Sequence, residues 1–287
     1  MNAIPQPTPE HGQQPRPAGM SAVAIGTAIV GGLALVSVGV GAAFATTGSI
    51  LQQVDAPSGD AVQVADTAGI TALSVDANAA EFQLRFADVK EAELEVTGSN
   101  RQDWRLQRSN DELSVSSGGS WFGGGFCLFG CNFGDDMVVL TLPRSLEGVI
   151  DADLSLGAGS LTAEGDFRDL DIEVSAGKAL ATGSARSLSA ELGAGRADFR
   201  LDGVQEASFD VSAGKVVAEL TGAAPREVEL DVSAGSLELT VADVPYAVES
   251  RVEAGQLDNK LQTRPSSPNV IEASVSAGSV TLLPSRR

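Results

Sequence analysis

Acidic side chains recur at a nearly constant spacing in the second half of the sequence, and they are the residues best suited to chemistry. Four of them follow one another at intervals of 18 to 21 residues: Glu173, Glu191, Asp210 and Asp231. If equivalent residues of successive repeats stack, these four form an acidic column. Carboxylate oxygens suit calcium, but stacked carboxylates also repel, by about 1 kcal/mol or less for an exposed pair. The acidic column is therefore either a solvated face that resists aggregation or a site for a cation or a cationic partner.

Catalytic groups other than carboxylates are scarce. The only histidine, His11, lies near the N-terminus, so the repeats contain no histidine for a catalytic triad or a metal site. We therefore predict no catalytic residues, no cofactor and no enzyme activity. Some β-helix proteins cleave polysaccharides, and a carbohydrate-binding or carbohydrate-cleaving β-helix protein is the alternative. Against it, the columns predicted to face outward contain no Trp or Phe.

The only two cysteines, Cys127 and Cys131, lie in a glycine- and aromatic-rich insertion at residues 118–136. With three residues between them and no histidine nearby, they make a poor zinc site, and outside the cell they favour a small disulfide. The insertion either caps exposed strand edges of the repeat domain or is a loop that touches a membrane or self-associates, since Trp and Phe favour the bilayer interface.

The charge balance excludes one class of partner. The 287 residues include 19 basic and 38 acidic side chains, which gives a net charge of −19. Because nucleic acid phosphates require basic groups on a protein, so acidic a surface argues against nucleic acid binding.

The elements that must position these side chains are built around Ala-Gly, which recurs seven times between Ala158 and Gly278. The glycines are Gly159, Gly177, Gly195, Gly214, Gly235, Gly255 and Gly278. Before each glycine, apolar and polar residues alternate as in a strand with one buried face. After it the apolar residues shift to the other parity, which predicts a structural corner followed by a second strand. Glycine suits a corner because it adopts positive φ without steric cost, and we expect the alanine to be buried there.

The repeats keep a constant register in this part and vary in length mainly in the turn that follows it. This pattern predicts an all-β domain, a parallel β-solenoid (a β-helix or β-roll) of about eight coils, each stacked on the coil before it. An antiparallel sandwich is the runner-up. The sequence predicts an earlier coil over 73–86, with Ala80 in the glycine position, and the start of another at 89–96. It also predicts a hairpin with its turn at Ser109–Asp111 and a strand at Met137–Leu142.

The segments before the repeats indicate a membrane protein. Residues 1–20 are predicted to be a disordered cytoplasmic tail, and residues 21–46 are apolar and long enough for one transmembrane helix. Because Ala43–Ala45 resembles a signal-peptidase site, the helix is either an uncleaved anchor, which its length favours, or a cleaved signal. Arg16 precedes the helix and acidic residues follow it, which places the tail in the cytoplasm and the repeats outside.

The remaining boundaries follow from composition. Residues 47–70 are predicted to be a linker, residues 71–283 the repeat domain, and residues 284–287 a C-terminal tail. In that tail Pro284, Arg286 and Arg287 are expected to end the last strand and to protect it as an open sheet edge.

The repeated motif also supports a resemblance. Val-Ser-Ala-Gly occurs at 174–177, 211–214, 232–235 and 275–278. It resembles the bacterial "putative adhesin" family of β-strand-repeat domains, a family of unknown function, over roughly residues 71–283. The resemblance implies an envelope protein with a β-solenoid ectodomain behind a single anchoring helix, and it brings no catalytic residues.

These observations predict a single-pass cell-membrane protein with a cytoplasmic N-terminus and an extracytoplasmic repeat domain. The domain is expected to act as a structural, adhesion-like or interaction module without catalysis. Its predicted partners are the membrane, through one helix, and an envelope protein or a cell-wall polymer.

Overall fold

The computed structural model describes residues 54–55, 61–98, 103–118 and 136–285. The predicted tail, the predicted transmembrane helix at 21–46, both cysteines and most of the 118–136 insertion lie outside these residues. Within them, no helix has the length and apolar character needed to cross a membrane. Apart from one 3-10 turn at Arg144–Leu146, the regular structure described is β-strand. The prediction of an all-β domain is confirmed.

Fifteen strands are described. They are β1 (Val54–Asp55), β2 (Ala61–Ala65), β3 (Ala72–Ala87), β4 (Ala92–Thr97), β5 (Trp104–Ser109), β6 (Glu112–Ser117), β7 (Met137–Pro143), β8 (Asp151–Asp202), β9 (Glu206–Thr221), β10 (Glu227–Val232), β11 (Ser236–Val241), β12 (Ala247–Val252), β13 (Gln256–Asn259), β14 (Val270–Val275) and β15 (Ser279–Pro284). Buried and more exposed residues alternate along most of them, as in β10 and β11, but not along β12 and β13. The hydrophobic alternation in the sequence therefore marks the buried face of each strand.

Equivalent residues of different repeats pair side by side in parallel strands. Ala80 of β3 pairs with Gly159 of β8, and Gly195 of β8 pairs with Gly214 of β9. The same register continues from β9 to β10 and from β9 to β11. Each repeat thus contributes one strand before its glycine and one after it, and both pair with their counterparts in the neighbouring repeat.

Among the described strands, antiparallel pairing is confined to the N-terminal part of the domain. β4 pairs antiparallel with both β2 and β7, so the expectation of another parallel coil at 89–96 is wrong. Alternation marks which side of a strand is buried, but it carries no information on the direction of the neighbouring strand. The predicted hairpin is present as β5 and β6, with Asn110 at a φ of 55° in its turn. The whole forms one mixed sheet of 15 strands.

The last two repeats are stacked in the reverse of their sequence order. β10 of the fifth repeat pairs with β14 of the seventh, and β14 then pairs with β12 of the sixth. The second strands follow the same order, from β11 to β15 to β13. The expectation that each coil stacks on the one before it therefore fails here. The open edge belongs to β12 and β13, and the strand that Pro284 ends lies one position inside it.

A single core runs beneath the strands. Apolar residues of both strands are buried in it in every repeat except the sixth, where they are more exposed, and aromatic rings fill its wider parts. Phe199 and Phe209, from neighbouring repeats, lie 5.9 Å apart between ring centroids. Phe82 stacks on Trp104 at 6.3 Å, which joins the β5–β6 hairpin to the repeats.

Candidate functional site

The outward side of the first strand of each repeat is a continuous polar surface, which we call the acidic face. Its side chains belong to the residues four, six and eight positions before each corner glycine, where Asp, Glu and Ser predominate. Parallel pairing places equivalent residues side by side, so Glu191 lies beside Asp210, and Asp210 beside Asp231. The structure therefore aligns these three carboxylates of the acidic column in register across neighbouring strands. Glu173 belongs to the same column, because its charge acts on Glu191.

The acidic column ends where the repeat order reverses. Asp231 pairs with Ser274 of β14, and Ser274 pairs with Arg251 of β12. At the other end, Asp76 of β3 pairs with Ser155 of β8. The four acidic residues of the column thus lie between Ser155 and Ser274. Beyond Ser274, the positively charged Arg251 occupies the equivalent position at the open edge.

Crowding changes the protonation of these carboxylates. They are accessible to solvent, but packing between neighbouring strands removes part of their hydration. This burial, and after it the charges of Glu173 and Asp210, raises the pKa of Glu191. Burial and then Asp231 raise the pKa of Asp210 in the same way. The folded acidic face therefore holds protons more readily than an unfolded chain does.

A second row of carboxylates runs parallel to the acidic column, two positions earlier in each repeat. Burial and then Asp76 raise the pKa of Asp153. For Asp171, burial and the charge of Asp153 raise the pKa, while a hydrogen bond from Ser189 lowers it. The desolvated carboxylates therefore span at least two rows of the face.

Arginines line the margin of the acidic face, at the start of the first strands. The guanidinium of Arg186 lies 2.8 Å from a carboxylate oxygen of Asp169, and Arg168 binds Asp151. Farther along, Arg226 lies 3.0 Å from Glu206. These exposed pairs stabilise the fold by about 1 kcal/mol each or less. They neutralise the margin, so the uncompensated charge is concentrated in the middle of the face.

Two shallow grooves of about 350 Å³ each cross the acidic face. One crosses the first repeats and contains Asp151, Asp153, Asp169 and Asp171. The other crosses β10, β14 and β12 and contains four acidic residues together with Arg251. Both are open to solvent along strands, so they suit an extended partner better than an enclosed small molecule.

The acidic column was the candidate cation site in the sequence. In the part of the chain that the structure describes, no group of three or more His, Cys, Asp or Glu side chains is arranged to hold a metal ion. Adjacent carboxylates along the column come from flat strands and not from a loop that could surround an ion. The arrangement favours several weak contacts with a cationic surface over one tightly held ion.

The structural corner glycines form a stack that runs through the domain. A Cβ atom built on Gly235 would lie 2.5 Å from the carbonyl oxygen of Gly214, and one on Gly214 would lie 2.8 Å from that of Gly195. The stack follows the spatial order of the repeats: Ala80, Gly159, Gly177, Gly195, Gly214, Gly235, Gly278 and Gly255. Each glycine thus allows its backbone to approach the corner of the neighbouring repeat.

The corner differs from the sequence expectation in two ways. Gly159, Gly177 and Gly195 have positive φ values of 114°, 147° and 126°, but the other four corner glycines do not. The alanine before each glycine was expected to be buried, and this is wrong: Ala213, for example, is exposed. The close approach of backbones restricts the glycine, while the alanine side chain points away from the stack.

Two residues that depart from the repeat pattern indicate which of the last repeats is outermost. Two inward positions that are apolar in the other repeats carry Ser250 and Asn259, both in the sixth repeat. That repeat forms the open edge, where an inward side chain is covered on one side only. Polar exceptions to an apolar pattern mark the outermost repeat.

The comparisons with known proteins concern the fold. No family model matches the chain, and no curated protein matches it. Among solved structures, it is similar to a "putative adhesin" from Bacteroides fragilis, at 10% identity and a TM-score of 0.46, over 79% of this chain and 98% of that one. A "putative cell adhesion protein" from Clostridium sporogenes is 13% identical over 79% of this chain and 99% of that one, with a TM-score of 0.36.

A third solved structure carries a different description. It is a "putative lipid binding protein" from Parabacteroides distasonis, 11% identical over 81% of this chain and 100% of that one, with a TM-score of 0.38.

Proposed function

We propose that this chain is a non-catalytic interaction module of the cell envelope that binds a cationic partner through its acidic face. The observation that carries the proposal is the in-register row of carboxylates across neighbouring strands, with its charge left uncompensated at the centre. A rigid row of like charges attracts an extended partner of opposite charge through many weak contacts. An adhesion-like or structural role requires no more than such a surface.

The repeats supply the rigidity. We infer that they wind as coils of a β-solenoid, because both strands of each repeat pair in parallel with the equivalent strands of the next. In such a fold each coil contacts mainly its neighbours. The charge pattern of the face then depends on the number of repeats and their order and very little on side-chain flexibility.

The membrane anchor belongs to the same proposal. The apolar residues 21–46 are long enough for one helix, with Arg16 before them and Asp55, Asp60 and Asp66 after them. We place the N-terminus in the cytoplasm and the repeat domain outside. Protease added to intact cells with a permeable wall should then digest residues beyond 47 and spare the tail. Protection of the repeats under these conditions contradicts the orientation.

Binding measurements test the acidic face directly. The full-length chain, in detergent, is incubated with purified cell-wall polymers and with solubilised envelope proteins. A variant that neutralises the acidic column (Glu173→Gln, Glu191→Gln, Asp210→Asn, Asp231→Asn) should lose binding. The matched control removes four exposed charges from the outward side of other strands: Glu93→Gln, Glu95→Gln, Glu164→Gln and Glu219→Gln.

Both variants change the net charge by the same amount, so their difference isolates the position of the charges. Binding of the unmodified chain should weaken steeply as salt rises from 50 to about 300 mM, because the contacts are electrostatic. Equal loss of binding in both variants, or binding that does not respond to salt, would contradict the proposal.

The carbohydrate-directed alternative has less support. In the described part of the chain, every aromatic side chain lies in the core or packs against it, including Trp104 and Tyr246. The two grooves are shallow and open, and they offer no enclosed site for a sugar ring. Release of reducing ends from purified cell-wall polysaccharide by the full-length chain would favour this alternative.

A further inference from the structure

The outermost strand of the sixth repeat leaves an unpaired edge. β12 pairs with β14 on one side and with no described strand on the other, where the backbone of residues 262–264 bonds to Tyr246, the residue that precedes the strand, and not to the strand itself. As a result Val252 is 40% exposed, whereas the equivalent valines of the fifth and seventh repeats, Val232 and Val275, are almost fully buried. An apolar, unpaired strand edge is a surface on which another strand can add.

The backbone pattern determines which groups face that edge. The amide of Ala247 donates to the carbonyl oxygen of Asn269 at 2.8 Å, and the amide of Glu253 donates to that of Val275 at 3.0 Å. Successive residues of a strand direct their N–H and C=O groups to opposite sides. Since the odd-numbered residues face β14, the backbone groups of Val248, Ser250 and Val252 point to the open side.

Two segments of the chain outside the described residues are too short to cover this edge. Residues 119–135 leave β6 and return to β7, so these 17 residues reach at most about 30 Å before turning back. β6 and β7 both pair with β3, and seven strand spacings, about 34 Å, separate β3 from β12. Residues 286–287 follow β15, which pairs with β11 and β13. These two segments are therefore not candidates for pairing with the edge.

We propose that β12 pairs antiparallel with β12 of a second copy of the chain, about a two-fold axis at Ser250. This register places Glu249 of each copy opposite Arg251 of the other, and Val248 of each copy opposite Val252 of the other. Ser250 lies opposite itself. This one alignment matches the charges, the apolar side chains and the free backbone groups. It does so because β12 has a valine two residues to either side of Ser250 and residues of opposite charge one residue to either side.

Other alignments satisfy fewer of these contacts. A two-fold axis at Arg251 would oppose two arginines and would place Glu249 opposite Glu253, both of which repel. An axis at Val252 would leave Val248 without an apolar partner. At the opposite end of the stack, β3 is already paired with β6 and β7. Because the same edge pairs with itself about a two-fold axis, association through β12 closes as a dimer and does not extend into a fibre.

The second strand of the sixth repeat has the same arrangement. Asp258 and Lys260 flank Asn259 in and beside β13, and within one chain they form an ion pair at 3.1 Å. An antiparallel neighbour centred on Asn259 would meet opposite charges on both sides. The edge is thus self-complementary in both of its strands.

Disulfide cross-linking tests the register. In the full-length chain with Cys127→Ser and Cys131→Ser, the variant Ser250→Cys places two thiols at the proposed axis. Hydrogen-bonded residues opposite one another in antiparallel strands have Cα atoms about 5.5 Å apart, which a disulfide spans. Ser274→Cys is the matched control, because two copies of β14 would be three strand spacings, about 14 Å, apart. We expect dimers from Ser250→Cys and monomers from Ser274→Cys under mild oxidation in membranes.

Charge reversal tests the contacts and also separates this edge from pairing of the predicted transmembrane helix. Arg251→Glu, added to Ser250→Cys, places like charges opposite one another twice and should reduce the cross-linked fraction about tenfold. Glu249→Arg combined with Arg251→Glu restores opposite charges and should restore the dimer. Circular dichroism of each variant checks that the domain is folded.

Three results would overturn the proposal. If Ser250→Cys remains monomeric, then no second copy pairs there, whether or not its thiol reacts with an alkylating reagent. Cross-linking of Ser274→Cys equal to that of Ser250→Cys would contradict the register. Equal cross-linking with Arg251→Glu and with the double reversal would show that the charges do not select the partner.

Discussion

The glycine stack makes the sharpest prediction about stability. At Gly195, a Cβ atom would overlap the carbonyl oxygen of Gly177, and the backbone has a φ of 126°. Gly195→Ala therefore combines a strained backbone with a steric overlap. Because the overlapping atom belongs to the backbone, a rotamer change cannot relieve it, and the two repeats must move apart.

Two other glycines separate these contributions. Gly203 has a φ of 73° but open space around its Cβ position, so Gly203→Ala tests strain alone. Gly214 lacks a positive φ, but its Cβ would lie 2.8 Å from the carbonyl oxygen of Gly195, so Gly214→Ala tests overlap alone. Left-handed backbone costs an alanine about 1–2 kcal/mol, and overpacking costs about 1–3 kcal/mol.

The expected order follows from these values. Gly203→Ala should lose about 1 kcal/mol, since the lower entropy of the unfolded alanine chain offsets part of the strain. Gly214→Ala should lose about 2 kcal/mol, and Gly195→Ala about 3 kcal/mol or more. Ala213→Leu, at an exposed corner position, should change stability by about 0.5 kcal/mol or less.

Urea unfolding followed by far-ultraviolet circular dichroism measures these losses. With a typical slope, 3 kcal/mol moves the midpoint by about 1 M or more. A smaller slope for Gly195→Ala would indicate that the repeats on one side of the stack have separated from the rest. If Gly195→Ala loses no more than Gly203→Ala, close approach of the backbones is not the reason for glycine at the corner.

Three further predictions concern charge and burial. The pKa of Glu191 is raised in the folded protein, so stability should rise as pH falls from 7 toward its ordinary value of 4.5; Glu191→Gln should raise the urea midpoint at pH 7 and have little effect at pH 3. Tyr246 is fully buried, its hydroxyl has no hydrogen-bond partner among the described residues, and burial raises its pKa to about 12. Tyr246→Phe should therefore stabilise the domain by about 1 kcal/mol, and a lower midpoint would mean that the hydroxyl is satisfied. Calcium should stabilise the domain no more than sodium chloride of equal ionic strength in thermal melts, and a calcium-specific shift lost on neutralising the acidic column would contradict this prediction.

The sequence predicts the strands of this domain well, because alternating apolar residues require one buried face whichever strands are neighbours. It predicts the acidic column for the same reason, since constant repeat spacing brings equivalent residues into register. It does not predict strand direction at β4, where the alternation is the same for parallel and antiparallel pairing. Nor does it predict that Ala213 is exposed, because a small residue is compatible with both a crowded and an open corner.

The repeat pattern does not predict the order of the last two repeats, for a related reason. All seven copies share the Ala-Gly sequence and nearly all of the apolar positions, so by this pattern any copy could stack on any other. Only Ser250 and Asn259 distinguish the sixth repeat, and they do so by being suited to partial exposure. The information on order is therefore carried by exceptions to the pattern.

The reversed order also has a consequence for how the chain is made. Synthesis proceeds from the N-terminus, so the first five repeats can stack on the existing structure as each emerges. The sixth repeat emerges before β14, the strand on which it docks, exists. Until the seventh repeat follows, residues 247–259 have no place in the sheet, and the fifth repeat presents an open edge to the surroundings. The seventh repeat thus completes the sheet by pairing with both the fifth and the sixth repeats. The nascent domain is most prone to misassociation before the seventh repeat has been synthesised.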